Sequence, residues 1–206
     1  MDQWDENKRN VARMLFRSGC VKFGSFVLKS GVRSPIYLDL RVLVAFPPLL
    51  KNVALEYVSI LNKLQYDHIA ALPYAGMPIG TAVSLESQVS MIYPRKETKS
   101  YGTKAQIEGL YASGDTAVIL DDIVTSGASV QEGLEKLRAN LLKVNDVVVL
   151  IDRESGGRDK LVDDGLRVHS VFKFRDLLAL WRSEKLISEQ SYSQTMDFLN
   201  NGDKKK

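Results

Sequence analysis

Two kinds of pattern alternate along this chain. Some short runs are apolar throughout; in other stretches apolar residues recur every three or four positions. "TAVIL" (116–120) and "VVVLI" (147–151) are of the first kind and predict strands covered on both faces. "HIAAL" (68–72), "VSMIY" (89–93) and "LRVHSVF" (166–172) read as further strands, and "FVLKSGVRSPIYLDLR" (26–41) as two short strands around a Ser/Gly/Pro turn. Residues 5–18 form an amphipathic helical pattern stopped at Gly19, and Pro47 and Pro48 open a helix through "LLKNVALEYVSILNKL". "PYAGMP" reads as a turn before the helix "IGTAVSLESQ". Val130, Leu134, Leu137 and Leu141 share one helical face, and two more helices lead to a basic tail at 201–206.

Strands alternating with helices predict an α/β fold with a mostly parallel twisted sheet flanked by helices. With no repeat or composition break, residues 1–206 read as a single domain. In such sheets ligands sit beyond the carboxyl ends of the strands. Three loops fall there: the turn at Tyr74 to Met77, the segment after Asp121 and Asp122, and the loop from Asp152 to Arg158.

Composition narrows the classes. At 45% hydrophobic and 26% charged residues the chain has the balance of a globular protein. A net charge of +3 is too small to argue for nucleic acid. The N-terminus is polar and acidic, unlike a signal peptide, and no apolar run approaches the ~18–20 residues of a membrane span. The lone cysteine, Cys20, excludes an intramolecular disulfide and a thiolate metal cluster. A cytoplasmic location is expected.

The stretch "VILDDIVTSGAS" (118–129) carries the candidate chemistry. An Asp could simply cap the following helix. A P-loop NTPase also places acidic residues after an apolar strand, but none of the 14 glycines is followed by Lys. A Rossmann site is excluded as well, since no two glycines stand in G-x-G spacing. The remaining reading is a phosphate cradle. Thr125, Ser126, Gly127, Ala128 and Ser129 offer unobstructed backbone N–H groups and hydroxyls at a helix start. Two carboxylates just upstream could accept hydrogen bonds from a diol, and phosphate beside vicinal hydroxyls describes a ribose 5-phosphate. A second segment, about 94–106, holds Arg95, Lys96, Lys99 and Lys104, and reads either as a solvated basic hairpin or as a catalytic lid for an anionic leaving group.

An apolar strand, two acidic residues, an apolar pair and T-x-G-x-[ST] resemble the phosphoribosyl pyrophosphate (PRPP) motif of the type I phosphoribosyltransferases. "RKETKSYGTKAQIEG" is similar to the flexible catalytic loop of orotate phosphoribosyltransferases, above all the form found in the N-terminal half of eukaryotic UMP synthase. "VKFGSFVLKSGVRSPIYLDLR" and "LIDRESGG" match two further family patterns, so the resemblance runs from about Val21 to Val171.

The resemblance implies that fold with a small N-terminal hood, and transfer of the phosphoribosyl group from PRPP to orotate with Mg2+, giving orotidine 5′-monophosphate and pyrophosphate in pyrimidine biosynthesis. It implies that PRPP is bound by Lys29, Tyr74, Ala75, Arg95, Lys96, Lys99, Asp121, Asp122 and the run Ile123, Val124, Thr125, Ser126, Gly127, Ala128 and Ser129. It implies orotate at Lys29, Tyr37, Leu38, Thr125 and Arg153. Lys99, Asp122, Lys96 and Arg95 would carry catalysis. No strong protein ligand is expected for magnesium, which PRPP would hold with Asp121 or Asp122 nearby. A homodimer with shared active sites is implied. A separate orotidylate decarboxylase is a further expected partner. Ala75 and Tyr101 stand where many bacterial members carry Lys and His, as in the UMP synthase type. Two alternatives remain: a PRPP-sensing regulator, which should lose the lid and gain a nucleic-acid-binding face, and a purine phosphoribosyltransferase, which would not need Arg153. His68, His169 and Cys20 read as structural residues.

Overall fold

The computed structural model describes residues 4–27, 31–96 and 106–201. Its centre is a six-stranded sheet in the order β5-β4-β3-β6-β7-β8. The strands are β3 (His68–Ala71), β4 (Met91–Pro94), β5 (Ile107–Glu108), β6 (Thr116–Val124), β7 (Lys143–Asp152) and β8 (Arg167–Lys173). Every pairing is parallel except β4 with β5. Along β6 the side chains alternate between two apolar clusters: Val118 and Leu120 on one face, Ala117 and Ile119 on the other. Both faces are covered, which is why the run is apolar without a break.

Helices α1 (Glu6–Arg17), α2 (Pro47–Leu61), α3 (Gly76–Ser87) and α6 (Phe174–Ser183) supply the first cluster. Helices α4 (Ala128–Ala139) and α5 (Gly157–Asp163) supply the second. Asp5 caps α1 by accepting from Lys8 N at 2.8 Å, and Gly19 at φ +75° ends the turn that follows. Fully buried Trp181 of α6 donates its indole N–H to Ala12 O at 2.9 Å, docking α6 onto α1. In α2, Pro47 occupies the first turn, where no N–H is needed, and Leu49, Val53, Tyr57 and Leu61 form its buried stripe.

The N-terminal hairpin β1 (Val21–Val27) and β2 (Arg33–Leu38) forms a separate antiparallel pair, the expected hood. The C-terminal helix α7 (Glu189–Asn201) packs beside β2.

Several boundaries differ from the sequence reading. Asp39 to Arg41 are not strand: Asp39 accepts from Arg41 N at 3.3 Å and caps a 3-10 helix over Leu40–Ala45. The turn at 73–78 is shorter than read, since α3 begins at Gly76 and Pro78 fits its first turn. Strand β6 continues through both aspartates to Val124, because β7 extends beside it and pairs Asp121 with Val149 and Val124 with Asp152. Leu141 lies beyond α4, exposed at φ +63°. The two-residue β5 and the seven-residue α5 are too short to leave a periodic trace.

Successive connections run from β3 outward to β4, then return to the other side of β3 for β6, β7 and β8. The sheet therefore reverses its order between β3 and β6. Ligands of open α/β sheets collect at the carboxyl end of such a point.

Candidate active site

At that reversal the turn after β3 faces the end of β6. The approach is close: a Cβ on Gly76 would lie 2.9 Å from Leu120 O and 3.4 Å from Asp121 Cα. Asp121 is buried, and both its oxygens are held. Oδ1 accepts from Asp122 N at 2.9 Å, and Oδ2 accepts from Ser129 Oγ at 2.9 Å. Behind it, the fully buried Tyr57 hydroxyl donates to Asp121 O at 2.8 Å. Burial, joined by the charge of Asp122, pushes the Asp121 carboxyl well above the usual carboxylate range. Burial also raises Asp122.

Neither aspartate caps α4. Its N-cap is Gly127, at φ +80° and with no side-chain hydrogen bond. The first-turn amides of a helix have no intrahelical acceptor, so this end presents N–H groups and the positive pole of the helix to an anion. The preceding loop is pinned from outside. Ser155 Oγ donates to Thr125 O at 3.0 Å. A Cβ on Gly157 would fall 2.7 Å from both Gly127 N and Ser126 C, and closer still to Thr125 O. Backbone rests directly on backbone, so Gly157 belongs to the architecture of the loop. Its only trace in the sequence is the "GG" that closes "RESGG".

Of the residues expected at PRPP, the structure gathers Tyr74, Ala75, Lys96, Asp121, Asp122, Ile123, Thr125 and Ser129 around one cavity of about 290 Å³. The Ser129 hydroxyl donates to Asp121, and the Val124 side chain is buried while its carbonyl accepts from Arg153 N at 3.1 Å. Ser126 and Ala128 are exposed at the helix start, and Gly127 is buried. Lys96 Nζ sits 4.8 Å from the centre of the Tyr74 ring. Arg95 lines the adjoining cavity of about 360 Å³ with Tyr74 and Lys96, and its Nη1 donates to Glu108 Oε1 at 2.6 Å. Lys136 of α4 donates to Arg95 O at 3.0 Å, and Asn140 to Gln106 Oε1 at 3.2 Å, so both flanks of the 97–105 segment are tied to α4. Lys29, Lys99, Tyr101 and Lys104 lie outside the described residues.

The residues expected at orotate also converge. Tyr37, Leu38, Thr125 and Arg153 line a second cavity of about 130 Å³, with Ile36 and Ile123. Arg153 stacks on Phe198 of α7 at 5.5 Å. Its neighbour Glu154 has φ +59° and accepts from Arg175 N at 3.1 Å, while Arg175 Nη1 donates to Asn200 Oδ1 at 2.8 Å. Helix α7 thus builds this pocket from behind, a role with no local signal in the sequence.

The histidines are engaged elsewhere. His68 bridges Ser90 Oγ (2.7 Å) and Asp115 Oδ2 (2.8 Å), and His169 Nε2 meets Asp146 at 2.9 Å. Cys20 is buried. Among the described residues no group of three or more His, Cys, Asp or Glu could hold a metal ion, and no helix is long and apolar enough to cross a membrane.

The raised Asp121 carboxyl has a measurable consequence. Its unfolded counterpart titrates near pH ~3.9, so the native state binds more protons above that pH, and this group's contribution to stability falls as pH rises through the interval. Asp121→Asn is therefore expected to be more stable than wild type near neutrality in the ligand-free state. Urea unfolding from pH 4 to 8 should show the difference growing with pH; a constant difference would remove burial of charge as its cause.

No family model matches the chain. It is 42% identical to the uridine 5′-monophosphate synthase of Bos taurus, covering 86% of this chain and 38% of that protein. The structure of Leishmania donovani UMP synthase superposes with a TM-score of 0.88 at 43% identity, over 94% of this chain and 42% of that one. The chain thus spans about two fifths of the length of these relatives. The orotate phosphoribosyltransferase of Pyrobaculum aerophilum, in contrast, is matched over nearly its whole length: 37% identity, 92% of this chain and 98% of that protein. Aligned almost end to end with a relative of its own size, this chain belongs to the orotate phosphoribosyltransferase family.

Proposed function

We propose that this chain transfers the 5-phosphoribosyl group of PRPP to a ring nitrogen of orotate, forming orotidine 5′-monophosphate and releasing pyrophosphate. One observation carries the reading: the two cavities share a wall. Leu38, Ile123 and Thr125 line both the pocket that holds the aspartate pair and the pocket that holds Arg153. A donor and an acceptor bound in them would meet at Thr125.

In this reading the amides and hydroxyls of the 125–129 loop bind the 5-phosphate, and the aspartates accept from the ribose hydroxyls. Asp121 is pinned by Ser129 and Asp122 N, so it orients the site, while Asp122 also stabilises positive charge developing on the ribose. Arg153 offers its planar fork to the orotate carboxylate. Most of the rate then comes from positioning and from stabilising the leaving group's charge. With both Asp121 oxygens accepting hydrogen bonds and Asp39 paired with Arg41, Asp122 is the carboxylate of this cavity left for a metal among the described residues. Magnesium carried on the donor's phosphates would offset the charge of the departing pyrophosphate.

Lys99 is the proposed lid cation. Lys99→Ala should lower turnover about 100-fold, the loss typical of one electrostatic stabiliser. Steady-state kinetics check this, and near-normal turnover would remove Lys99 from the mechanism. A cytoplasmic homodimer with shared sites belongs to the same proposal and rests on the family resemblance.

The function is tested by pyrimidine absorbance. Loss of the orotate signal that requires protein, PRPP and magnesium together is the expected result. A flat trace from protein that still binds PRPP would overturn it.

A further inference from the structure

The leaving-group end of the cavity that holds the aspartate pair needs positive charge, and most of the charged side chains that line it carry the opposite sign. Asp39, Asp121 and Asp122 face it, while among the described residues only Arg41 and Lys96 bring cations to it. Ala75 leaves the turn after β3 without a charge there.

Arg41 is built into place. It stands in the first turn of the 3-10 helix that Asp39 caps, and Asp39 holds its guanidinium side-on: Nε to Oδ1 at 2.7 Å and Nη2 to Oδ2 at 2.8 Å. Nη2 also donates to the Tyr37 hydroxyl at 3.2 Å. Among the described residues nothing bonds Nη1. The side chain is 64% exposed, so its pair with Asp39 adds little stability. What the pair does is fix direction: a fork with two of its nitrogens already oriented loses less freedom when a ligand takes the rest. The charge also reaches into the site, where Arg41 is one of the groups that draws the Asp122 carboxyl back toward ionisation against the effect of burial.

We propose that Arg41 binds the diphosphate of the donor, through Nη1, and stays with the pyrophosphate as it leaves. This assignment rests on the phosphoribosyl-transfer reading of the site. Asp39 and Tyr37 then act as positioning residues, and Tyr37 links the diphosphate end to the wall of the base pocket. An arginine suits the task because its fork matches phosphate oxygens and remains charged at every relevant pH.

The test compares wild type with Arg41→Ala and Arg41→Lys. For Arg41→Ala we expect the KM for PRPP to rise about 10- to 100-fold, the loss of one charge-assisted hydrogen bond. The KM for orotate should stay within about threefold of wild type, as expected when the base pocket is untouched. Calorimetric binding of magnesium pyrophosphate should weaken by a similar factor to PRPP, and Arg41→Lys should restore part of both. An unchanged PRPP KM would overturn the proposal. So would a rise confined to orotate, or one equal for both substrates, since either would make Arg41 a support for the hood. A lowered melting temperature in Arg41→Ala that Arg41→Lys shares, with no difference in pyrophosphate affinity, would overturn it too. Pyrophosphate binding also separates this proposal from the reading beneath it. If wild type transfers nothing to orotate, that reading fails, yet the calorimetry still decides whether Arg41 holds a diphosphate.

Discussion

Gly157→Ala will lower kcat/KM for PRPP by at least about 100-fold and destabilise the protein by ~1–3 kcal/mol. The new methyl would overlap backbone atoms of Thr125, Ser126 and Gly127, which cannot swing aside as a side-chain end could. Either the 125–127 loop or the start of α5 must retreat by roughly 1 Å, a displacement that costs on the order of 100-fold in a positioned site. The opposite side offers no relief, because Gly127 faces Gly157 O and Leu161. Steady-state kinetics and urea unfolding measure the two effects. A variant that keeps its PRPP kinetics would show that the loop does not depend on this contact.

Arg153→Ala should raise the KM for orotate roughly 100- to 1,000-fold, the range for truncating one partner of a buried charge pair. The KM for PRPP should change little. The selectivity follows from placement: Arg153 lines the cavity with Tyr37 and Leu38 and not the one that holds the aspartate pair. Arg153→Lys should recover only part of the loss, because an ammonium lacks the fork and the flat face that stacks on Phe198. Equal losses for both substrates would point to collapse of the loop through Glu154, whose backbone is left-handed and whose carboxylate accepts from Arg175 N.

How much of this was legible in the sequence depended on distance along the chain. Wholly apolar runs located β6 and β7 at the centre of the sheet, and the small residues of 125–129 announced the start of a helix. Those signals are local. Whether an aspartate caps α4 was not open to pattern alone. It turned on the φ of Gly127 and on where Ser129 Oγ points. Gly157 meets a loop some thirty residues earlier in the chain, and Phe198 reaches Arg153 from the last helix. Nothing in the residues nearby records either contact. Arg41 was hidden differently: "YLDLR" continues the alternation of a strand, and only the turn capped by Asp39 brings its guanidinium to the cavity.

In the proposed reaction one continuous site takes phosphate, ribose and a carboxylated base in that order. A crystal structure of the protein with orotidine 5′-monophosphate tests it most directly. The phosphate should lie on the 125–129 amides, the ribose hydroxyls on Asp121 and Asp122, and the carboxylate on Arg153. A well-ordered nucleotide with its phosphate on any other loop, or its base outside the wall made by Tyr37, Leu38 and Arg153, would contradict it.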